Sequence, residues 1–326
     1  MILTIIISLA LVVGITLSWM RGNGVVKDFD ARRTLPLRGI AAIVVVLYHV
    51  AANVREVPVL NQFLWFGDIA VCLFFFLSGY GLLVSYNKKG DNYLHGFLKH
   101  RFAKLLPPFL IAAIGYEIYQ SFQPEHSTLG SIMAIAHGGT ILPDSWFVLT
   151  IMVYYLLFFA CARLFRKPHA LVVALWFASV AYVALCYGLG WDQYWYKTVC
   201  AINVGFTYAL FEDRVKAVIA THRNALLWAS AAIALAIVAF SLTSVVLPVS
   251  FLIPLLVVAV VYAMGMCRSR TLDFLGTISY EIYIMQCIWR HKLYITASIH
   301  WSVYLILTLA VTILTAWLLH RLCKKI

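Results

Sequence analysis

Arg38 and His49 are the two residues whose types and spacing most clearly suggest chemistry. They lie eleven residues apart in a mostly apolar run. On an α-helix this separation is close to three turns, so both side chains point to nearly the same side, roughly 16 Å apart along the axis. A cation at one end and a neutral base deeper on the same side suit a long anionic ligand. A structural histidine and an arginine that reaches the membrane surface explain the pair about equally well.

A cluster of positive charge ahead of two prolines is the second candidate. Arg101 and Lys104 are three residues apart and share a helix face. Such a pair can hold phosphate groups. Taken alone, the cluster is better explained as ordinary positive charge at the cytosolic end of a span. We expect Pro107 and Pro108 in the opening turn of that span, where proline costs little.

Small residues in the run 74–82 form the third candidate. Ser78 and Gly79, with Gly81 nearby, allow a neighbouring helix or the chain of a ligand to approach the backbone. Tight helix packing explains these residues about as well as ligand binding does. The run is not a dinucleotide-binding loop, because no strand precedes it and no βαβ unit surrounds it.

Two carboxylates complete the candidate set, Glu117 near the outer end of its span and Glu281 near mid-depth. A carboxylate inside a membrane must be paired, protonated or in contact with water. Either one could set the tautomer of an imidazole, although a structural hydrogen bond is equally plausible. We expect no metal site, because His126, His137 and Asp144 in the long outer loop lack metal-ligand spacing.

The elements that position these residues must be membrane-spanning helices. Hydrophobic residues make up 63% of the 326 residues, charged residues only 12%, and the mean hydropathy is +0.90. Soluble domains carry roughly 25% charged residues, whereas one membrane span needs roughly 20 mostly apolar residues. We therefore expect an all-α polytopic membrane protein with about eleven transmembrane helices. The predicted spans are 1–20, 36–54, 63–85, 105–122, 145–163, 170–189, 195–211, 225–243, 247–266, 272–289 and 301–320.

The positions of the basic residues behind the net charge of +12 indicate membrane topology and do not indicate a nucleic-acid-binding surface. If residue 1 faces outside, 21 of the 25 basic residues fall in the inner loops. Because positive charge resists translocation, this asymmetry predicts an N-terminus outside and a cytosolic C-terminus. The first span has no basic n-region and no small-residue cleavage site after it, so we expect it to be retained. The basic residues that remain outside are Arg55, Lys197, Arg290 and Lys292.

Taken together, four of these runs resemble the acyltransferase-3 family of bacterial membrane acyltransferases. The family's first core helix carries an arginine, ten further residues and a histidine, as from Arg38 to His49. Its later motifs are similar to the runs 74–80, 101–107 and 278–283, and the likeness extends from residue 34 to residue 320. The chain departs from the family pattern at Lys104, often an arginine, at Ile151, often a glutamate, and at Gln286, often a histidine.

The resemblance implies a membrane-bound acyltransferase domain at 34–326, preceded at 1–33 by an extra transmembrane helix and a cytosolic linker. The expected location is the bacterial cytoplasmic membrane, among membrane lipids. The expected activity moves an acyl group, most commonly acetyl, from cytosolic acyl-CoA to a hydroxyl of an extracytoplasmic polysaccharide or lipid-linked sugar. Acetyl-CoA would be the cosubstrate, and neither a metal nor a nucleic acid is expected.

The resemblance also implies roles for the candidate residues. His49 would act as general base or carry the acyl group briefly, and Glu281 or Glu117 would orient it. The phosphates of CoA would be bound by the three cations, with the thioester arm passing two small residues of the run 74–82. These donor-binding residues are Arg38, Arg101, Lys104, Ser78 and Gly79.

Two other classes remain open from the sequence. A polytopic transporter or flippase for a lipid-linked or small anionic substrate would also carry buried ionisable groups. Such proteins often show inverted repeats with broken helices at matching positions, and this sequence shows no such symmetry. A non-catalytic membrane scaffold would need neither a deep histidine nor a cationic entrance.

Overall fold

The computed structural model describes residues 34–122, 127–222, 269–296 and 300–324, with the single residues 228, 232, 236 and 252. Within this part of the chain the regular structure is entirely helical, with three short 3-10 turns at Asn61–Trp65, Gly90–Tyr93 and Gln193–Trp195. The α-helices are α1 (Leu35–Asn53), α2 (Phe66–Lys89), α3 (Phe97–Gln120), α4 (Thr128–Ala136), α5 (Trp146–Leu164), α6 (Pro168–Gly188), α7 (Cys200–Thr221), α8 (Arg270–Thr277), α9 (Ser279–Thr296) and α10 (Trp301–Cys323).

Six of the described helices, α1, α2, α3, α5, α6 and α10, are long and apolar enough to cross a membrane. The protein is therefore a multi-pass membrane protein that is all-helical over the described residues, which confirms the predicted fold class to this extent. The predicted spans 1–20, 225–243 and 247–266 lie outside the described residues, apart from the single residues 228, 232, 236 and 252. The count of eleven and the orientation stay predictions.

Three predicted spans were wrong in their limits. α3 begins at Phe97, eight residues before the predicted start. Gly96 turns the chain at φ 67° just ahead of it. The first turns of the helix are rich in basic residues, so hydropathy did not include them in the span. Pro107 and Pro108 are therefore inside the helix and not in its opening turn. The predicted span 195–211 starts later and continues past a kink at Phe211, and 272–289 is divided between α8 and α9.

The predicted loop 123–145 contains a short helix, α4. Its N-terminal cap is Ser127, whose side chain accepts a hydrogen bond from the Gly130 amide at 3.1 Å. This satisfies one of the backbone donors that a helix start leaves without a partner. The hydropathy pattern alone did not reveal this nine-residue element.

Close backbone contacts fix α1 and α2 against their neighbours. A Cβ added to Gly276 would lie 2.0 Å from the Leu35 carbonyl oxygen, so α8 touches the start of α1 directly. A Cβ on Gly79 would lie 2.1 Å from the Ile202 oxygen, and one on Gly205 would lie 2.2 Å from the Phe76 oxygen. Small residues allow this approach in membrane proteins, where packing drives helix association. These contacts hold α1 against α8 and α2 against α7.

Candidate functional site

The larger of two adjoining cavities, which we call the cationic cavity, has a volume of about 430 Å³. Helices α1, α2, α3, α5 and α9 contribute its walls. Three of its lining residues are cations, and no carboxylate of the described residues lines it. Its polar and small lining residues are Arg38, Ser78, Gly81, Ser85, Arg101, Lys104, Tyr155, Ser279, Tyr280 and Tyr283.

Arg101 is held in place by aromatic neighbours. Its guanidinium donates a hydrogen bond to the Tyr93 hydroxyl at 2.5 Å, and its charge lies 5.6 Å from the Phe97 ring and 5.3 Å from the Tyr155 ring. Arg38 lies close enough on α1 for the two positive charges to repel each other. Like charges that face one cavity without a lining carboxylate favour an anionic ligand, and arginine geometry suits phosphate in particular.

The smaller cavity, which we call the histidine cavity, has a volume of about 100 Å³. The His49 ring makes an edge contact with Tyr48, with centroids 4.8 Å apart. Among the residues that the structure describes, none forms a hydrogen bond with His49, so its ring nitrogens remain able to bind a substrate. The cavity is lined by Val45, Tyr48, His49, Gly67, Asp68, Val71, Asp144, Trp146, Tyr194, Lys197 and Tyr283.

Two ion pairs border the histidine cavity. Lys197 lies 2.8 Å from each carboxylate oxygen of Asp68. Asp144 forms the second pair with Arg290, and its φ of 56° places it in the left-handed region. Aspartate tolerates that region better than most residues do. The Tyr283 hydroxyl donates a hydrogen bond to the Asp144 carbonyl oxygen at 2.5 Å, which ties this loop to α9.

One face of α2 joins the two cavities. Gly67, Asp68 and Val71 line the histidine cavity, and the cationic cavity continues the same three- and four-residue spacing from Phe74 to Ser85. Eighteen residues of helix extend roughly 27 Å, close to the hydrocarbon thickness of about 30 Å. The two cavities together therefore follow most of the depth of a membrane.

Aromatic side chains stand where the cavities adjoin. Tyr283 lines both cavities, and its ring lies 5.3 Å from that of Phe147. Phe147 in turn lies 6.0 Å from Phe74, and both line the cationic cavity. Phe74 and Phe147 therefore lie on the cationic-cavity side of Tyr283, the residue that both cavities share.

The structure brings together most of the predicted donor-binding residues. Arg38, Arg101, Lys104 and Ser78 line one cavity although they come from three helices. The exception is Gly79, which contacts the Ile202 backbone on α7 and does not line either cavity. The ligand-facing role predicted for Gly79 is therefore not supported.

Gly81 occupies the position that the sequence analysis gave to Gly79. It lines the cationic cavity, and a Cβ added there meets no atom within 4 Å. Of the two explanations that the sequence left open for this run, helix packing applies to Gly79, and Gly81 lies where a ligand would have access.

The predicted contact between Glu281 and His49 is absent, since Glu281 Oε1 lies 2.8 Å from His320 Nδ1 instead. The reason is the register of α1 and α9. Asn53 Nδ2 donates a hydrogen bond to the carbonyl oxygen of Arg290, which lies 237 residues later in the sequence. Gly39 contacts Gly276, so the difference in residue number is the same at the other end of the helix. That offset places residue 286, and not residue 281, at the depth of His49.

Glu117 does not reach His49 either. It lies on α3, and it is not part of the lining of either cavity. No hydrogen bond or ion pair joins it to His49 in the described structure.

Sequence analysis did not assign the two ion pairs to the site. Asp68 was not among the predicted site residues. Lys197 and Arg290 are two of the four basic residues that the charge asymmetry left outside. These exceptions to the charge asymmetry were the signal that could have revealed the ion pairs. A basic residue at the outer end of a span, where few are expected, requires an acidic partner.

Comparison with known proteins agrees with this geometry. The acyltransferase domain model of the acyltransferase-3 family matches residues 37–321. A comparison with curated proteins found no match, and neither did one with solved structures. The matched region contains every described residue that lines either cavity. Since the match covers most of the chain, this protein belongs to the acyltransferase-3 family of membrane acyltransferases.

Proposed function

We propose that this protein transfers an acetyl group from cytosolic acetyl-CoA to a hydroxyl of an extracytoplasmic polysaccharide or lipid-linked sugar. Family membership makes it a membrane acyltransferase. The observation that carries the proposal is the placement of two residues of one helix. α1 presents Arg38 to the cationic cavity and His49 to the histidine cavity.

The cationic cavity fits the phosphate-bearing part of acyl-CoA. Arg38 and Arg101 offer planar donors for phosphate oxygens, and Lys104 adds a point charge. A volume of about 430 Å³ lies within the usual range for small-molecule sites. The flexible thioester arm would pass Ser78 and Gly81 and reach the histidine cavity beside Tyr283.

His49 is the residue suited to the transfer step. Its neutral imidazole takes the proton of the acceptor hydroxyl while the hydroxyl oxygen attacks the thioester carbonyl carbon. The carbon–sulfur bond then breaks, and the leaving thiolate receives that proton from the imidazolium. In the alternative, the imidazole nitrogen attacks the thioester carbonyl carbon, and CoA leaves as the thiol with the ring proton. The acceptor hydroxyl then takes the acyl group from His49 and returns its proton to the ring.

The proposal includes a topology. Arg38, Arg101 and Lys104 would face the cytosol and the His49 end of α1 would face the outside of a bacterial cytoplasmic membrane. Eleven spans, with the N-terminus outside and the C-terminus cytosolic, place 21 of the 25 basic residues inside. In this arrangement residues 1–33 form an additional helix and linker ahead of the acyltransferase domain at 34–326.

Replacing His49 tests the proposed reaction. Cells that produce the wild-type protein, the His49→Ala variant or no protein would be compared by mass spectrometry of their surface glycans. A mass increase equal to an acetyl group is expected with the wild type alone. In membranes, the His49→Ala variant should also fail to transfer label from acetyl-CoA.

A histidine outside the site provides the matched control. His222 is exposed at the end of α7, so the His222→Ala variant should acetylate as the wild type does. Full acetylation by a normally produced His49→Ala variant would overturn the proposal.

A further inference from the structure

The histidine cavity differs from the cationic cavity in its charge balance. Asp68 is paired with Lys197, and Asp144 is paired with Arg290. Each carboxylate at this cavity therefore has a cation beside it. The cationic cavity, in contrast, has three lining cations and no carboxylate among the described residues. The first cavity suits an uncharged ligand and the second suits an anion.

The paired charges still offer hydrogen bonds to hydroxyl groups. A carboxylate has about four acceptor positions, so Asp68 can accept hydrogen bonds from hydroxyl groups beside its contact with Lys197. A ligand carboxylate, however, would compete with Asp68 for Lys197 and would face Asp144 nearby. Burying a charge without a partner costs much more than burying a hydrogen-bonded hydroxyl.

Aromatic rings supply the apolar part of this cavity. Tyr48, Trp146 and Tyr194 line it, with Trp146 and Tyr194 centroids 5.8 Å apart. The Tyr194 hydroxyl donates to the Gly138 carbonyl oxygen at 3.2 Å, which fixes the ring. Burial raises the pKa of Tyr194, so this side chain stays uncharged. A sugar ring presents C–H faces that pack on such rings and hydroxyl groups at its edge.

We propose that the histidine cavity is the acceptor subsite and that it selects uncharged sugars over acidic ones. Asp68 accepts hydrogen bonds from sugar hydroxyls beside the one that reacts, and Trp146 with Tyr194 contacts the ring. This inference rests on the proposed function for the direction of transfer and names its acceptor class. With a volume of about 100 Å³, the cavity admits only the edge of a sugar.

Direct binding of two matched sugars tests the selectivity. The probes are methyl glucopyranoside and its C6-oxidised form, methyl glucopyranosiduronic acid, with the full-length protein in nanodiscs and no acetyl-CoA. Saturation-transfer NMR titrations should show the glucoside binding at least about tenfold more tightly, as expected for one uncompensated charge. Binding of neither probe, or equal or tighter binding of the acidic sugar, would overturn the inference.

Variants of the ion pair test its cause. The Asp68→Asn variant removes the negative charge beside Lys197, so the binding ratio should move toward the acidic sugar by about tenfold. The double variant Asp68→Asn/Lys197→Met removes both charges of the pair, so it should restore the wild-type preference for the uncharged sugar. An unchanged ratio in Asp68→Asn, with normal thermal stability, would contradict the proposal.

Asp144→Asn provides the second variant, since it frees Arg290 at the other ion pair and should shift the ratio in the same direction. Failure of the two proposals can be distinguished because these titrations contain no acetyl donor. Full acetylation by the His49→Ala variant would overturn the proposed function, and the sugar-binding ratios measured without donor would still stand.

Discussion

Arg38 and His49 share one side of α1 but open into two different cavities. Their separation is roughly 16 Å along the helix axis. Because the backbone of α1 touches α8 near Gly276 and Asn53 is hydrogen-bonded to Tyr304 at 2.8 Å, both ends of the helix are fixed. The distance between Arg38 and His49 is therefore set by a rigid element, and in the proposed reaction only the thioester arm of the donor needs to be flexible.

Removing a cation from the larger cavity should weaken donor binding. We expect Arg38→Gln or Arg101→Gln to raise the KM for acetyl-CoA by about tenfold to a hundredfold. The reason is that a hydrogen bond to a charged group contributes about 1.5–3 kcal/mol. Initial rates of CoA release in nanodiscs would measure this.

An arginine outside the cavity provides the control. Arg163 is exposed on α5, and its charge lies 4.7 Å from the Phe159 ring. Arg163→Gln should leave the KM for acetyl-CoA unchanged. Equal effects of Arg163→Gln and Arg38→Gln would indicate a general surface-charge effect and count against the cationic cavity as donor site.

Gly79 and Gly81 should respond oppositely to the same substitution. A Cβ on Gly79 would lie 2.1 Å from backbone of α7, whereas one on Gly81 meets nothing within 4 Å. We expect Gly79→Ala to lower thermal stability strongly, by on the order of 1–3 kcal/mol or more. Gly81→Ala should leave stability near the wild-type value. Thermal unfolding in detergent would compare them.

A stable Gly79→Ala variant would contradict the close α2–α7 contact. Gly205→Ala offers an independent check, since its Cβ would lie 2.2 Å from the Phe76 oxygen on the other side of the same interface. Both variants should show reduced stability together.

Local helix geometry explains which parts of the site were predictable. Arg38 and His49 lie on one helix, so their spacing alone gave their shared side. Gly79 and Gly81 lie two residues apart, about 200° around a helix, and nothing in the sequence says which of them faces a neighbour. The pairing of Asp68 with Lys197 joins two residues 129 positions apart, one at the start of α2 and one shortly before α7. Such a contact depends on the packing of α2 against α7, which hydropathy does not specify.

Asp144 combines an ion pair with an unusual backbone conformation. At φ 56° an asparagine is tolerated as well as aspartate, but alanine is not. We expect Asp144→Asn to remain folded and lose transfer activity, because Arg290 would then have no carboxylate beside His49. Asp144→Ala should also lose stability. Thermal unfolding and acetyl transfer, measured on both variants, separate the two effects.

Asp144→Gly separates the roles of backbone and side chain further. Glycine accepts a positive φ without strain, so this variant should be more stable than Asp144→Ala and equally inactive. Wild-type activity in Asp144→Gly would show that the Asp144 carboxylate has no part in organising the site.

Glu281 and His320 should behave as a structural pair. Glu281 is 7% exposed, and its carboxylate lies 2.8 Å from the His320 ring. Removing one partner leaves a buried polar group without its hydrogen bond, at a cost of about 1–3 kcal/mol. We therefore expect Glu281→Gln and His320→Gln each to lower stability. The double variant should lose less than the sum of both losses, because residues in contact are not additive.

Acetyl transfer distinguishes this structural role from a catalytic one. If Glu281 acts only through His320, both single variants should retain kcat at temperatures where they remain folded, and their small activity losses should match. A carboxylate that oriented His49 would give a different result: Glu281→Gln would lower kcat sharply while His320→Gln would not. The register of α1 and α9, which places residue 286 at the depth of His49, predicts the first outcome.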